Sequence, residues 1–370
     1  MTAYLLIGLL AAALSWGSTP MVMRLARRIG AIDHPNDRKV HAKPTATLGG
    51  LAILIGLVGA GVSAMFVPEF RAALTVSSAP IGILAAGVVI FALGAVDDLR
   101  DLPASVKLAG QVLAAGILFL SGVRMQSVFI PGGEQYLLGP DVSVLVTVGW
   151  LVLMINAVNL IDGLDGLAAG IVAIAASAFF VFSYEMAEIG LSSSAPVITV
   201  IILGASLGFL RYNFFPARIF MGDSGSNLLG LVLGAATIAG ISTAPSDFSP
   251  SSVASGVFLA YAPLLIPMSV VAIPLIDSVL AVVRRSRKRR SVFHADKEHL
   301  HHRLMDLGHG HRQAVIVMYV WSALAAGAAL GFTFLDRANL VFVLPIAVGA
   351  LVLYTLFPLL TKALQDRLSP

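Results

Sequence analysis

The chain of 370 residues contains no cysteine. That excludes disulfide bridges and any metal site built on thiolates. Charge is the second scarcity. Asp, Glu, Lys and Arg make up 12% of the sequence, against roughly 25% in an ordinary soluble domain, too few to cover a water-facing surface. Basic residues are missing from the start of the chain: the first is Arg24, so the apolar stretch 1–23 lacks the positive leader of a cleaved signal and reads as a first membrane helix. No repeat of fixed period and no long linker divides the sequence, so residues 1–370 read as a single polytopic membrane domain.

Apolar residues are abundant, at 58% with a mean hydropathy of +0.90. A bilayer core about 30 Å thick needs roughly 17 to 25 apolar residues per helix. Eleven stretches qualify, near 3–23, 47–67, 80–96, 105–122, 142–158, 167–184, 196–210, 226–242, 256–282, 314–334 and 340–360. Pro263, Pro267 and Pro274 kink or break the ninth. The expected fold class is an all-α integral membrane protein with about eleven transmembrane helices. The loops 24–46, 97–104, 159–166, 211–225 and 283–313, together with Lys107 and the tail after 360, hold 21 of the 24 Lys and Arg residues. Only Arg71, Arg124 and Arg337 fall on the other side, which predicts an external N-terminus and a cytoplasmic C-terminus. All eight histidines share the cytoplasmic side. The pI of about 9.5 follows from this asymmetry and does not call for nucleic acid.

Ionisable groups at the ends of apolar helices are costly and usually face water, a cation or a ligand. The sequence NAVNLIDGLDGLAAG, Asn156 to Gly170, puts Asn159, Asp162 and Asp165 at such an end, and on a helix Asp162 and Asp165 would share a face. A polar loop between two spans is the plain alternative. Asp97 and Asp98 are adjacent at the end of the third stretch, with Lys107 just inside the fourth. Such a pair can share a cation or a proton, and the ammonium can hold a phosphate; a helix cap would account for one aspartate alone. Asp223 lies between Gly222 and Ser224-Gly225-Ser226 at the start of a helix, where backbone N–H groups would face an anion while the carboxylate holds a divalent cation. A simple N-cap is the competing account. Lys39 and His41 belong to a basic cluster before Gly49-Gly50 that would attract phosphate, unless it only sets topology. His299, His301, His302 and Arg303 crowd into five residues. A structural zinc site wants four ligands, usually with thiolates, so diphosphate suits this cluster better.

Carboxylates, a lysine and a histidine-arginine cluster at one interface are the equipment of phosphoryl transfer, with a lipid as one substrate. The segments DHPNDRKVHAKPTATLGG, GAVDDLRDL, NAVNLIDGLDGLAAG, NFFPARIFMGDSGS and DKEHLHHRL, in that order, resemble the polyprenyl-phosphate N-acetylhexosamine-1-phosphate transferases (glycosyltransferase 4), in the WecA/TagO-like branch rather than the branch that transfers phospho-MurNAc-pentapeptide. The resemblance implies transfer of GlcNAc-1-phosphate from UDP-GlcNAc to polyprenyl phosphate at a bacterial plasma membrane, with the site on the cytoplasmic side. It implies Mg2+, replaceable by Mn2+, at Asp223 with Asn159. Asp97, Asp98, Asp162 and Lys107 resemble the catalytic set. Asn159, Asp165, Asn213 and Phe220 match nucleotide-site positions, Lys39 and His41 a substrate loop, and His299, His301, His302 and Arg303 a diphosphate-binding loop. A homodimer is left open. An ion-coupled transporter is the reading from a different class; it would place its acids near the midplane of inverted repeats.

Overall fold

A computed structural model describes residues 1–35, 43–75, 78–130, 134–189, 193–241, 261–272, 310–334 and 345–355. Its helices are α1 (Thr2–Ile29), α2 (Gly50–Ala64), α3 (Pro68–Thr75), α4 (Ala79–Arg100), α5 (Ala104–Leu120), α6 (Pro140–Ile161), α7 (Leu167–Glu188), α8 (Ala195–Asn213) and α9 (Gly222–Ile241). They are followed by α10 (Tyr261–Ala272), α11 (His311–Phe334) and α12 (Pro345–Thr355). Among the described residues seven helices are long and apolar enough to cross a membrane, or eight if α2 and α3, bent by 102°, form one span. Helices α5, α10 and α12 are shorter apolar helices. Each of the eleven apolar stretches read from the sequence overlaps one of these helices, although only seven or eight spans are long enough to cross among the described residues. The unforeseen pieces are α3 and two small antiparallel pairs, β1 (Ile32–Asp33) with β2 (Thr45–Ala46) and β3 (Ser127–Ile130) with β4 (Glu134–Leu137).

Local chemistry sets the helix ends. Proline occupies the first turn of α4, α6 and α8, where its missing N–H costs nothing. Gly30 ends α1 in the left-handed region, beside Arg27 and Arg28 in the last turn. Asp101 ends α4 at φ 47°, and Pro103 precedes α5.

Burial distinguishes inner helices from outer ones. In α9, 89% of the apolar window is buried, against 33% in α1. A helix apolar on every side needs a surround of other helices, and α9 packs on α4, α6, α2, α8 and α7. The contacts are close: a Cβ at Gly50 of α2 would lie 2.4 Å from the Gly225 nitrogen, and one at Gly94 of α4 would lie 2.5 Å from the Asp223 carbonyl oxygen. Backbone therefore meets backbone at the N-terminal turn of α9. The segment before that turn is held too. Phe220 N–H donates to Ala46 O at 2.8 Å, while Gly49 and Gly50 N–H donate to Phe220 O and Met221 O at 2.9 Å each.

Candidate active site

Four helix ends meet at this turn. Asp97 and Asp98 lie in the last turn of α4, Lys107 in the first of α5, Asn159 in the last of α6 and Asp223 in the first of α9. The segments read from the sequence as loops at 97–104, 159–166 and 211–225 are thus partly helix. That makes the site more rigid than loops would. The Lys107 ammonium bridges two carboxylates that are 126 positions apart in sequence: it pairs with Asp97 Oδ2 and donates to Asp223 Oδ2 at 3.2 Å. Asp97 is buried, at 5% exposure; its other oxygen accepts the Leu102 N–H at 2.7 Å, which fixes the α4–α5 turn.

Asp98 faces a different way, because one residue of helix turns the side chain by about 100°. Its carboxylate accepts the Asp223 N–H at 2.7 Å, the Ser224 N–H at 3.3 Å and the Ser224 hydroxyl at 2.7 Å. The first N–H groups of α9 do face an anion, as the Gly-Asp-Ser-Gly-Ser segment led us to expect. That anion is the protein's own Asp98. The Asp223 and Ser224 N–H groups are therefore occupied from within the protein.

Asn159 donates to Asp223 Oδ1 at 2.9 Å and to Ser226 Oγ at 3.0 Å. One turn deeper, Gln111 of α5 and Asn156 of α6 pair through their amides. Gln111 and Ser226 were missed by the sequence reading; the spacing Lys107–Gln111 on one helix face is the signal that could have found the first.

Asp162 does not share a helical face with Asp165. Helix α6 ends at Ile161, and the chain turns through residues 162–166 to Gly166 at φ 79°. Glycines 163 and 166 break the helix that the spacing implied. Asp162 is half-buried in that turn; burial first, then the negative charges of Asp223, Asp98 and Asp165, hold its carboxyl well above the usual carboxylate range. Asp165 accepts the Ala217 N–H at 2.9 Å, and Asn213 donates to Ile219 O at 3.0 Å. Both shape the 213–221 loop in which Phe220 sits half-buried. The Tyr319 hydroxyl of α11 donates to Gly166 O, tying that helix to the same turn. Lys39, His41, His299, His301, His302 and Arg303 lie outside the described residues.

The donor set can be tested for a cation. Among the described residues no three His, Cys, Asp or Glu side chains converge as an all-protein cage. Mg2+ does not require one: it takes one or two carboxylates and completes its shell with water and substrate phosphate. Asp223, with Asp97 beside it, supplies hard oxygen donors of that kind, whereas Asn159 turns its Nδ2 toward Asp223 and orients that carboxylate.

An acid–lysine–acid cluster at one end of a bundle of long apolar helices defines a polytopic membrane protein with its charged groups gathered at helix ends. The glycosyl transferase family 4 profile matches residues 80–241. Decaprenyl-phosphate N-acetylglucosaminephosphotransferase of Mycolicibacterium smegmatis is 41% identical over 364 residues, covering 96% of this chain and 89% of that protein. A probable undecaprenyl-phosphate N-acetylglucosaminyl 1-phosphate transferase of Bacillus subtilis is 36% identical over 304 residues, covering 82% and 77%. Undecaprenyl-phosphate alpha-N-acetylglucosaminyl 1-phosphate transferase of Escherichia coli strain K12 is 29% identical over 319 residues, with the same coverage. The chain belongs to glycosyl transferase family 4.

Proposed function

We propose that the protein transfers GlcNAc-1-phosphate from UDP-GlcNAc to a polyprenyl phosphate, giving polyprenyl-diphospho-GlcNAc and UMP. The observation that carries this reading is the Asp97–Lys107–Asp223 bridge at a helix-end surface, in a chain similar along almost its whole length to proteins named for that transfer. The chain spans a bacterial plasma membrane about eleven times, with its N-terminus outside and the site facing the cytoplasm, where UDP-sugars are available. The bias of Lys and Arg supports that orientation.

An oxygen of the lipid phosphate attacks the β-phosphorus of UDP-GlcNAc. The new P–O bond forms as the bond to UMP breaks, and UMP leaves with the electron pair. A phosphate monoester is already largely dianionic near pH 7, its second pKa being about 6, so no strong base is required. Asp97 orients the acceptor or takes its last proton, and Lys107 offsets charge between acceptor and donor. Asp223, with Asn159 hydrogen-bonded to it, would hold Mg2+, which would supply charge neutralisation for the transfer. His299, His301, His302 and Arg303 bind the diphosphate, while Lys39 and His41 contact substrate from the first loop. The rival is a two-step route through an aspartyl-phosphate on Asp97 or Asp98, and trapping a phosphorylated enzyme on either residue would replace the direct attack.

Donor specificity tests the reading. Purified protein in detergent with polyprenyl phosphate and Mg2+ releases UMP from UDP-GlcNAc faster than from UDP-GalNAc or UDP-MurNAc-pentapeptide. Preference for the pentapeptide donor would move the chain to another branch, and no UMP from any donor would remove the function.

A further inference from the structure

We infer that Asp97 and Asp98, although adjacent and identical, have separate jobs: Asp97 faces the reacting groups, whereas Asp98 is a positioning residue that sets where Asp223 stands. This inference rests on the proposed function for its activity readout and on geometry alone for its cause.

The first N–H groups of a helix have no partner inside it. Ordinarily a polar side chain at the residue before the helix caps them, but Met221 stands there and Gly222 opens the helix, and neither offers an acceptor. Asp98 supplies the cap from another helix, with three hydrogen bonds to two consecutive residues. A carboxylate at a helix N-terminus is favoured both by these charge-assisted bonds and by the helix dipole. Gly222 is shaped for the arrangement: its φ is +69°, and a Cβ there would sit 2.3 Å from Asp98 Oδ2. Gly94, one turn before Asp98, brings the α4 backbone onto Asp223 itself. Asp98 is thus spent on the backbone of the very residue whose side chain meets Lys107 and Asn159. The sequence pattern DD invites a shared proton or cation, but the two carboxylates point to different partners.

The test separates a cap from an acid or base. In Asp98→Asn the amide oxygen still accepts the Asp223 N–H. Its NH2 can donate to the Ser224 hydroxyl, which has a second acceptor in Met221 O at 3.1 Å. In Asp98→Ala all three bonds vanish. We expect Asp98→Asn to keep turnover within about tenfold of wild type, with an unshifted pH profile, since roughly one charge-assisted bond is weakened. Asp98→Ala raises the Mg2+ concentration for half-activity by about tenfold or more, with partial recovery at saturating Mg2+. The Mg2+-induced rise in Tm, read without substrate, follows the order wild type, Asp98→Asn, Asp98→Ala. Should the alanine variant fail to fold, the asparagine variant decides alone. Asp98→Asn as dead as Asp97→Asn at saturating Mg2+, or with a shifted limb of the pH profile, overturns the inference. Wild-type protein that releases no UMP sinks the proposed function instead, and the Tm series then still reads the positioning.

Discussion

Asn156 of α6 and Gln111 of α5 form a reciprocal amide pair, Asn156 Nδ2 donating to Gln111 Oε1 at 2.8 Å and Gln111 Nε2 to Asn156 Oδ1 at 3.5 Å. Gln111 is 4% exposed and lies one turn from Lys107; Asn156 lies one turn from Asn159. The pair fixes the register between the helices that carry the two groups on Asp223. Removing Asn156 leaves the buried Gln111 amide without this partner, at a cost of about 1–3 kcal/mol, whereas Asn156 without Gln111 keeps its bond to Val152 O at 2.8 Å. Gln111→Leu and Asn156→Leu are each expected to lower stability and turnover, while the double variant carrying both loses less than the sum of the singles. A double-mutant cycle on Tm and on UMP release checks this; strict additivity would mean that the amides do not act together.

Gly222 is the position where the cap has no room to give. Gly222→Ala puts a methyl against the Asp98 carboxylate and asks a side chain to adopt φ +69°. The strain is on the order of 1–3 kcal/mol. The expected phenotype is that of Asp98→Ala, a weakened response to Mg2+ with the protein still folded; a normal Mg2+ titration would show that the α9 turn tolerates displacement.

Asp162 makes the opposite case, a side chain whose removal stabilises. Its folded carboxyl titrates above the usual range, so the folded state holds the proton more firmly than the unfolded chain does. Stability from this group therefore falls as pH rises above the ordinary aspartate value of about 3.9, and is lost once the folded group ionises. Asp162→Asn is expected to raise Tm near neutral pH without divalent cation. The gain should shrink on acidification and on adding Mg2+. Scanning calorimetry or dye-based melting at two pH values checks the sign, and a lower Tm for the variant at neutral pH would contradict it.

The absence of cysteine gives topology a clean readout. Arg71 and Arg218 are exposed on opposite sides of the expected membrane. Arg71→Cys should react with a membrane-impermeant maleimide on intact cells, whereas Arg218→Cys should react only after permeabilisation. The reverse pattern would invert the site.

Much of this site was legible in the sequence because carboxylates at the ends of apolar runs are too costly to be incidental. Asp97, Lys107, Asn159 and Asp223 were found that way and meet through direct contacts. What was not legible depended on helix rotation and packing. The adjacency of Asp97 and Asp98 concealed a turn of about 100° between them, and only the approach of α9 through Gly50 and Gly94 decides which one caps it. The helical spacing of Asp162 and Asp165 misled, because Gly166 at φ 79° starts a new helix. Helix α3, only eight residues long, and the β3–β4 hairpin were missed for lack of length.

The most direct test of the central claim, that α4, α5 and α9 build one transferase site, is the initial rate of UMP release from UDP-GlcNAc by purified protein with polyprenyl phosphate and saturating Mg2+. Wild type should turn over, and Asp97→Asn and Asp223→Asn should each fall by about a hundredfold or more, as expected when a charged group at the reacting centre is lost. Either variant at a near wild-type rate would contradict the account.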